Sequence, residues 1–64
     1  MPTYRVQYLP DAALPPESVD AESVDLDTSG VWLVFRRTVY VIGKPREVVV
    51  RRLAAREVAE VAEV

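Results

Sequence analysis

The chain has 64 residues, half of them hydrophobic, and carries eight basic against ten acidic residues with no His and no Cys. This length predicts a single domain, residues 1–64, near the lower limit at which a chain folds without covalent staples. Without His or Cys the chain lacks the commonest catalytic base, the most reactive nucleophile and the usual zinc ligands. We therefore predict that the protein is not an enzyme and has no cofactor and no metal site.

Targeting and membrane signals are absent from the segments where they usually occur. The start, MPTYRVQYLP, has no basic stretch followed by an apolar run. The longest apolar run is Val31–Phe35, far short of the roughly 20 residues that cross a bilayer. These features predict a cytoplasmic protein without a membrane partner. Seven of the eight basic residues are Arg and Asn is absent, a bias typical of GC-rich coding in a high-GC bacterium or phage.

The first half of the chain has a strand pattern interrupted by a proline-rich loop. Thr3–Leu9 alternates apolar and polar residues with period two, which predicts a half-buried strand. Three prolines in Pro10–Ser18 predict a loop, because proline lacks a backbone donor and fixes φ. Alternation over residues 22–27 predicts a second amphipathic strand, and Thr28–Gly30 predicts a turn.

The middle of the chain is the densest β-forming stretch. Aromatic and β-branched residues fill Val31–Gly43, which includes the single tryptophan, Trp32. This pattern predicts either one long strand reaching Ile42 with a bulge, or two strands with a bend at Arg36–Thr38. Gly43–Arg46, the sequence GKPR, predicts the turn that follows.

The last third of the chain admits two interpretations. Six residues fall on one side of a helical wheel, which favours an α+β fold in which a C-terminal helix over residues 46–63 packs on an antiparallel sheet. These residues are Val50, Leu53, Ala54, Val58, Val61 and Val64. Three consecutive valines and the lack of helix caps favour strands instead. In that second interpretation a strand at 47–53 is followed by one helical turn at 54–57 and a closing strand at 58–64. We prefer this all-β interpretation.

With about five strands and one short helical turn before the last strand, the chain resembles the SH3-like small β-barrels. It is also similar to short uncharacterised proteins of high-GC bacteria and their phages, through YRVQYL, GVWLVF (Gly30–Phe35) and VVRRLAAREVAEV (Val49–Val61). The proline-rich loop Pro10–Pro16 and the stretch Thr38–Pro45 depart from that pattern. The resemblance implies a fold and no activity, since the aromatic residues do not match the groove of peptide-binding SH3 domains.

Carboxylates are the remaining candidates for catalysis or metal binding. Asp25 and Asp27 share one face of a predicted strand, but acid–base catalysis also needs a cleft that desolvates one of them. Asp20 and Glu22 lie close by, and the spacing of the four acids does not match a calcium-binding loop. We expect these carboxylates to be a solvated strand edge.

Charge is distributed unevenly along the chain. Residues 1–30 carry one basic and six acidic side chains, whereas residues 31–64 carry seven basic and four acidic ones. Neighbouring strands would bring most of the basic residues into one patch, which fits phosphate groups and makes nucleic acid the alternative partner. An acidic chain with a pI near 4.9 opposes that alternative. The candidate patch consists of Arg36, Arg37, Lys44, Arg46, Arg51 and Arg52.

Binding to a protein is the function that we consider best supported by the sequence. The chain is apolar in composition but short, so its core is thin, and association with a partner would extend it. We expect a protein-interaction or assembly module whose partner is unidentified, with a homodimer formed through the edge strand Val58–Val64 as one candidate. Trp32 and the other aromatic residues are expected to lie in the core.

Overall fold

Six strands and two 3₁₀ turns make up the computed structural model, which describes all 64 residues. They form two three-stranded antiparallel sheets, in the orders β2-β1-β6 and β3-β4-β5. The all-β fold class is therefore confirmed. The strands are β1 (Thr3–Tyr8), β2 (Glu17–Asp20), β3 (Ser23–Leu26), β4 (Trp32–Val41), β5 (Lys44–Ala54) and β6 (Val58–Glu63), with 3₁₀ turns at Pro10–Ala12 and Ala55–Glu57.

The C-terminal third folds as strand, short turn and strand, so the alternative of a helix over residues 46–63 is wrong. β5 pairs with β4 along its whole length, from Val41 opposite Lys44 to Trp32 opposite Ala54. The 3₁₀ turn Ala55–Glu57 redirects the chain, and β6 then pairs with β1. The stiff side chains of the valine run suit an extended backbone better than a helix.

A short strand that the sequence did not predict links the two sheets. β2 pairs with β1, and only Ala21 and Glu22 separate it from β3 in the other sheet. The N–H of Ala21 donates to the Pro2 carbonyl at 3.1 Å, whereas the N–H of Glu22 donates to the Arg36 carbonyl at 2.8 Å. The chain therefore passes from one sheet to the other between these two residues. The β2 segment contains a single apolar residue, Val19, so it shows no alternation from which a strand is predicted.

The core lies between the sheets and is small. Five buried residues form one cluster, and the edge of the Tyr4 ring packs against Phe35 with centroids 5.9 Å apart. Trp32 is only half-buried and is not part of that cluster, so its predicted core position is wrong. Trp32 lies one residue out of phase with Leu33 and Phe35, which puts it on the opposite face of β4. The cluster consists of Val6, Val19, Ala21, Phe35 and Leu53.

The β4–β5 hairpin extends well past the rest of its sheet. β3 pairs with β4 only as far as Arg36, so residues 37–48 form a two-stranded ribbon, which we call the arm. Its turn is Ile42–Gly43, not the predicted Gly43–Arg46. The molecule is accordingly elongated, with extents of 44 × 26 × 14 Å and a radius of gyration of 12.8 Å. A compact chain of this length has a radius of gyration of about 11 Å.

Candidate interaction surface

All six residues of the predicted basic patch lie on the β4–β5 hairpin, but they do not form a single surface. Side chains alternate between faces along a strand, and residues paired across two strands share a face. Phe35 is in the core, so Arg37, two residues further, lies on the core-side face of the hairpin. The register places Lys44, Arg46 and Arg51 on that same face, and Arg36 and Arg52 on the outer face.

Both arginines on the outer face contact other side chains of the same chain. Arg36 forms an ion pair with Asp25 on β3 and another with Glu47 on β5, where Nε lies 3.3 Å from the carboxylate. The guanidinium of Arg52 lies over the Trp32 ring, 4.8 Å from its centroid. Such stacking explains why Trp32 is half-buried although it lies outside the core. Arg36 and Arg52 therefore stabilise the outer face of the sheet.

Arg51 belongs to a small polar cluster at the rim of the core. Its Nη2 donates to Glu17 at 3.1 Å, and the Tyr8 hydroxyl donates to the same carboxylate oxygen. The hydrogen bond from Tyr8, together with Arg51, lowers the pKa of Glu17 and outweighs the effect of burial. Burial, followed by the Glu17 carboxylate, raises the pKa of Tyr8. These three side chains border a depression of about 270 Å³ with Leu14 and Pro15 from the proline-rich loop.

The other three basic residues form no ion pair and lie together on the core-side face of the arm. Each is opposite a valine: Arg37 pairs with Val48, Arg46 with Val39, and Lys44 with Val41. Lys44, Arg46, Val41 and Ile42 line a depression of about 320 Å³. This surface therefore combines positive charge with exposed apolar area. We call it the basic face: Arg37, Val39, Val41, Lys44, Arg46 and Val48.

The tip of the arm has an unusual residue in its turn. Ile42 and Gly43 have φ of 52° and 72°, and the register makes them the two residues of a two-residue hairpin loop. Hairpin turns with two positive φ values strongly prefer Asn-Gly or Asp-Gly, because a β-branched residue is strained there. Ile42 is nevertheless 95% exposed. Its neighbours Tyr40 and Val41 are 74% and 46% exposed.

Both edges of the arm lack a neighbouring strand. On the β4 edge, the carboxylate of Glu22 accepts a hydrogen bond from the Thr38 N–H at 3.2 Å, which covers the first donor beyond β3. Pairs alternate along an antiparallel ladder, so Pro45, opposite Tyr40, directs its nitrogen away from β4. Proline has no N–H, and its presence there blunts the β5 edge against pairing with another strand.

The carboxylates considered as a cation site are each engaged elsewhere and do not converge. Asp20 accepts from the Thr3 hydroxyl at 2.7 Å, and Asp25 pairs with Arg36. Asp27 accepts from the Ser29 hydroxyl at 2.6 Å, a bond that lowers the pKa of Asp27 and organises the turn before β4. No group of three or more acidic side chains is arranged to hold a metal ion.

Three acidic residues without an ion pair lie on β6 or directly before it. Glu57, Glu60 and Glu63 make no ion pair, and segment 57–64 contains no basic residue. β6 is the outer strand of its sheet, with β1 on one side only. Its edge is therefore open and negatively charged. Asp11 and Glu57 also border a depression of about 350 Å³ with Leu9, Ala12 and Arg56.

Comparison with protein-family models, with curated proteins and with solved structures found no match to the chain. No helix of the protein is long and apolar enough to cross a membrane. The cytoplasmic location stays a prediction.

Sequence patterns identified the basic residues of the hairpin but not the arm itself. Thr38–Pro45 stood out as a departure from the SH3-like pattern, and this stretch forms the distal part of the arm. Gly43 and Pro45 predicted a turn that begins at Gly43, one residue after its actual start at Ile42. No local sequence signal indicated that Ile42 lies at the tip of the arm.

Proposed function

We propose that this protein is a non-catalytic interaction module that binds another protein through the arm. The observation that carries the proposal is the exposure of three consecutive apolar residues at the end of the ribbon, Tyr40, Val41 and Ile42. An isolated two-stranded ribbon is only marginally stable in water, and contact with a partner would stabilise it. Exposed apolar surface of this kind, bordered by charge, is typical of protein-binding sites.

The accessible surface supports the same proposal. The chain exposes 4658 Å², whereas a compact monomer of its mass exposes about 4,100 Å². Only six residues are buried. The additional accessible surface arises because the molecule is thin and elongated and has a projecting arm. A partner that covers the arm would bury its exposed apolar area.

The strain at Ile42 is a further argument. A left-handed conformation costs a residue with a Cβ about 1–2 kcal/mol, which Gly or Asn largely avoids. Deviations from the local sequence preference are expected where function requires a particular side chain. An isoleucine held at the exposed tip is therefore best explained by an apolar contact that it makes with a partner.

We also propose that the two sheets form an SH3-like small barrel. Support comes from the strand order, from the passage of the chain between sheets at Ala21 and Glu22, and from the 3₁₀ turn before the last strand. On this proposal the barrel is a scaffold and the arm is an elaborated loop, a common arrangement because loops on rigid scaffolds carry most binding sites.

A photo-reactive amino acid at position 42 tests the function. In cells of the organism that encodes the protein, we expect a cross-link from position 42 to a protein, either another copy or a different chain. The matched control carries the same amino acid at Thr28, an exposed turn position on the body of the molecule. Equal cross-linking from both positions, or none from position 42, would overturn the proposal.

Nucleic acid is a second candidate partner, favoured by the three unpaired cations on one face of the arm. A two-stranded ribbon fits the major groove of a duplex, and Arg and Lys bind its phosphates. The net charge of −2 opposes this candidate. The test is a mobility-shift assay at low salt with Arg37→Glu/Arg46→Glu as the variant, because Arg51 and Arg52 are already engaged. Wild-type binding that the variant loses favours this candidate; no wild-type binding excludes it.

A further inference from the structure

We infer that the partner of the arm is a second copy of this chain, and that the basic face of one copy contacts the β6 edge of the other. The inference rests on the proposed function of the arm and identifies its occupant. It goes beyond edge-to-edge dimerisation, because the two contacting surfaces are different parts of the chain.

Charge complementarity between the two surfaces is the main argument. Residues 37–46 carry Arg37, Lys44 and Arg46 with no acidic residue, whereas residues 57–64 carry Glu57, Glu60 and Glu63 with no basic residue. None of these six side chains forms an ion pair within its own chain. Most other charges of the molecule are paired or hydrogen-bonded internally. Arg5, Asp11 and Arg56 also form no ion pair. The arm and segment 57–64 differ from the rest of the chain because each carries three unpaired charges of a single sign.

The apolar parts of the two surfaces also match. The basic face places each of its cations opposite a valine, and in β6 Val61 and Ala62 separate Glu60 from Glu63, which lie on opposite faces of the strand. Ala59 and Ala62 are exposed on β6, and Val64 beyond it is 82% exposed. Small residues there allow another chain to approach closely. Apolar contact and charge pairing would therefore occur together.

A pair of copies related by a two-fold axis satisfies both surfaces at once. The arm of each copy reaches the β6 edge of the other, so neither an arm nor a β6 edge is left exposed. The molecule has the elongated shape that such an exchange needs, 44 Å along its longest axis. Direct pairing of two β5 edges is disfavoured, because Pro45 lacks a donor and the register shift opposite Phe35 and Arg36 disrupts the ladder.

Charge reversal with exchange of partners tests the inference. The arm variant is Arg37→Glu/Lys44→Glu/Arg46→Glu, and the edge variant is Glu60→Lys/Glu63→Lys. We expect the wild type to dimerise at high micromolar concentration in sedimentation velocity at low salt. We expect each variant alone to dimerise at least about tenfold more weakly. An equimolar mixture should recover dimer, because the reversed arm then meets the reversed edge and the unchanged arm meets the unchanged edge.

Circular dichroism and Trp32 fluorescence of each variant establish that it is folded. Recovery in the mixture is itself evidence of folding, since unfolded chains would not restore a specific dimer. A monomeric wild type, an arm variant that dimerises like the wild type, or a mixture without recovery overturns the inference. If position 42 nevertheless cross-links to a different protein, the proposed function stands and only the identity of the partner is wrong.

Discussion

At the scale of single residues, Ile42 combines local backbone strain with an exposed apolar side chain. It adopts a positive φ, which a β-branched side chain disfavours, and its side chain is exposed rather than packed. Asn at this position would therefore stabilise the folded hairpin more than Ile42 does. This is the pattern expected when stability is sacrificed for contact with a partner.

Replacing Ile42 by Asn should separate the two properties. We expect Ile42→Asn to raise the free energy of unfolding by about 1 kcal/mol, because Asn tolerates the left-handed region and Asn-Gly is a favoured hairpin turn. The same variant should associate more weakly, because its tip is polar. Ile42→Val is the matched control and should change neither property. Urea unfolding and sedimentation measure both; a less stable Asn variant would contradict this account of the turn.

The cluster of Tyr8, Glu17 and Arg51 makes stability depend on pH. The pKa of Glu17 in the folded protein is lowered from its ordinary value of 4.5, so ionised Glu17 stabilises the fold above that pH. Its contribution is lost as the pH falls through the lowered pKa. We expect the free energy of unfolding to decline less steeply below pH 4.5 in Glu17→Gln than in the wild type, measured by urea unfolding. Glu60→Gln, an exposed control, should follow the wild-type curve; equal slopes for Glu17→Gln and wild type would contradict the assignment.

At the scale of elements, the length of the β4–β5 hairpin is the distinctive feature. Its first half is held by β3 and by the core residues Phe35 and Leu53. Its second half has no strand on either side. Pro45 protects one of these edges, and the Glu22 carboxylate covers the first donor of the other. Pro45 and Glu22 thus shield part of the backbone of the arm from indiscriminate pairing, and the proposed function assigns the exposed side chains of the arm to a specific contact.

Replacing Pro45 should make the β5 edge prone to pairing with strands of other molecules. Pro45→Val restores an N–H that faces outward from β5 and adds a good strand former, so we expect higher-order aggregation that light scattering detects. Pro15→Val, in the exposed loop before β2, is the control and should stay as dispersed as the wild type. An unchanged aggregation rate for Pro45→Val would show that Pro45 does not prevent the β5 edge from pairing with other strands.

At the scale of the whole molecule, charge separates between the arm and the β6 edge. This separation explains how a chain of net charge −2 presents a positively charged surface. Attraction between the two surfaces is screened by salt, since the Debye length falls from about 10 Å at 0.1 M to about 3 Å at 1 M.

Association of the wild type should therefore weaken as salt rises. We expect the dimer dissociation constant to increase by about tenfold or more between low salt and 1 M NaCl, because exposed ion pairs are screened while the apolar contact is retained. Sedimentation velocity across a salt series measures it. The Ile42→Asn variant offers a matched comparison, with a weaker dimer but a similar salt slope. Association that strengthens with salt would indicate a contact dominated by apolar surface.

The strand pattern of this chain could be predicted from its residues because the governing interactions are local. Alternation over Thr3–Tyr8, the valine run in β5 and the brief turn at Ala55–Glu57 all appear in the sequence as periodicity and propensity. The grouping of basic residues on one hairpin followed from the same patterns. The absence of His and Cys limits the chemistry available to the chain whatever shape it adopts.

Tertiary structure alone decided which charges are free and which surface is open. Arg36, Arg51 and Arg52 look identical to Arg37 and Arg46 in the sequence, but partners from β3, β2 and β4 engage only the first three. The short β2 strand forms because it can pair with β1. Trp32 lies outside the core because Phe35 faces the core, and the alternation of side chains along β4 then puts Trp32 on the opposite face. Each of these outcomes depends on contacts between residues distant in the chain, which composition and periodicity do not encode.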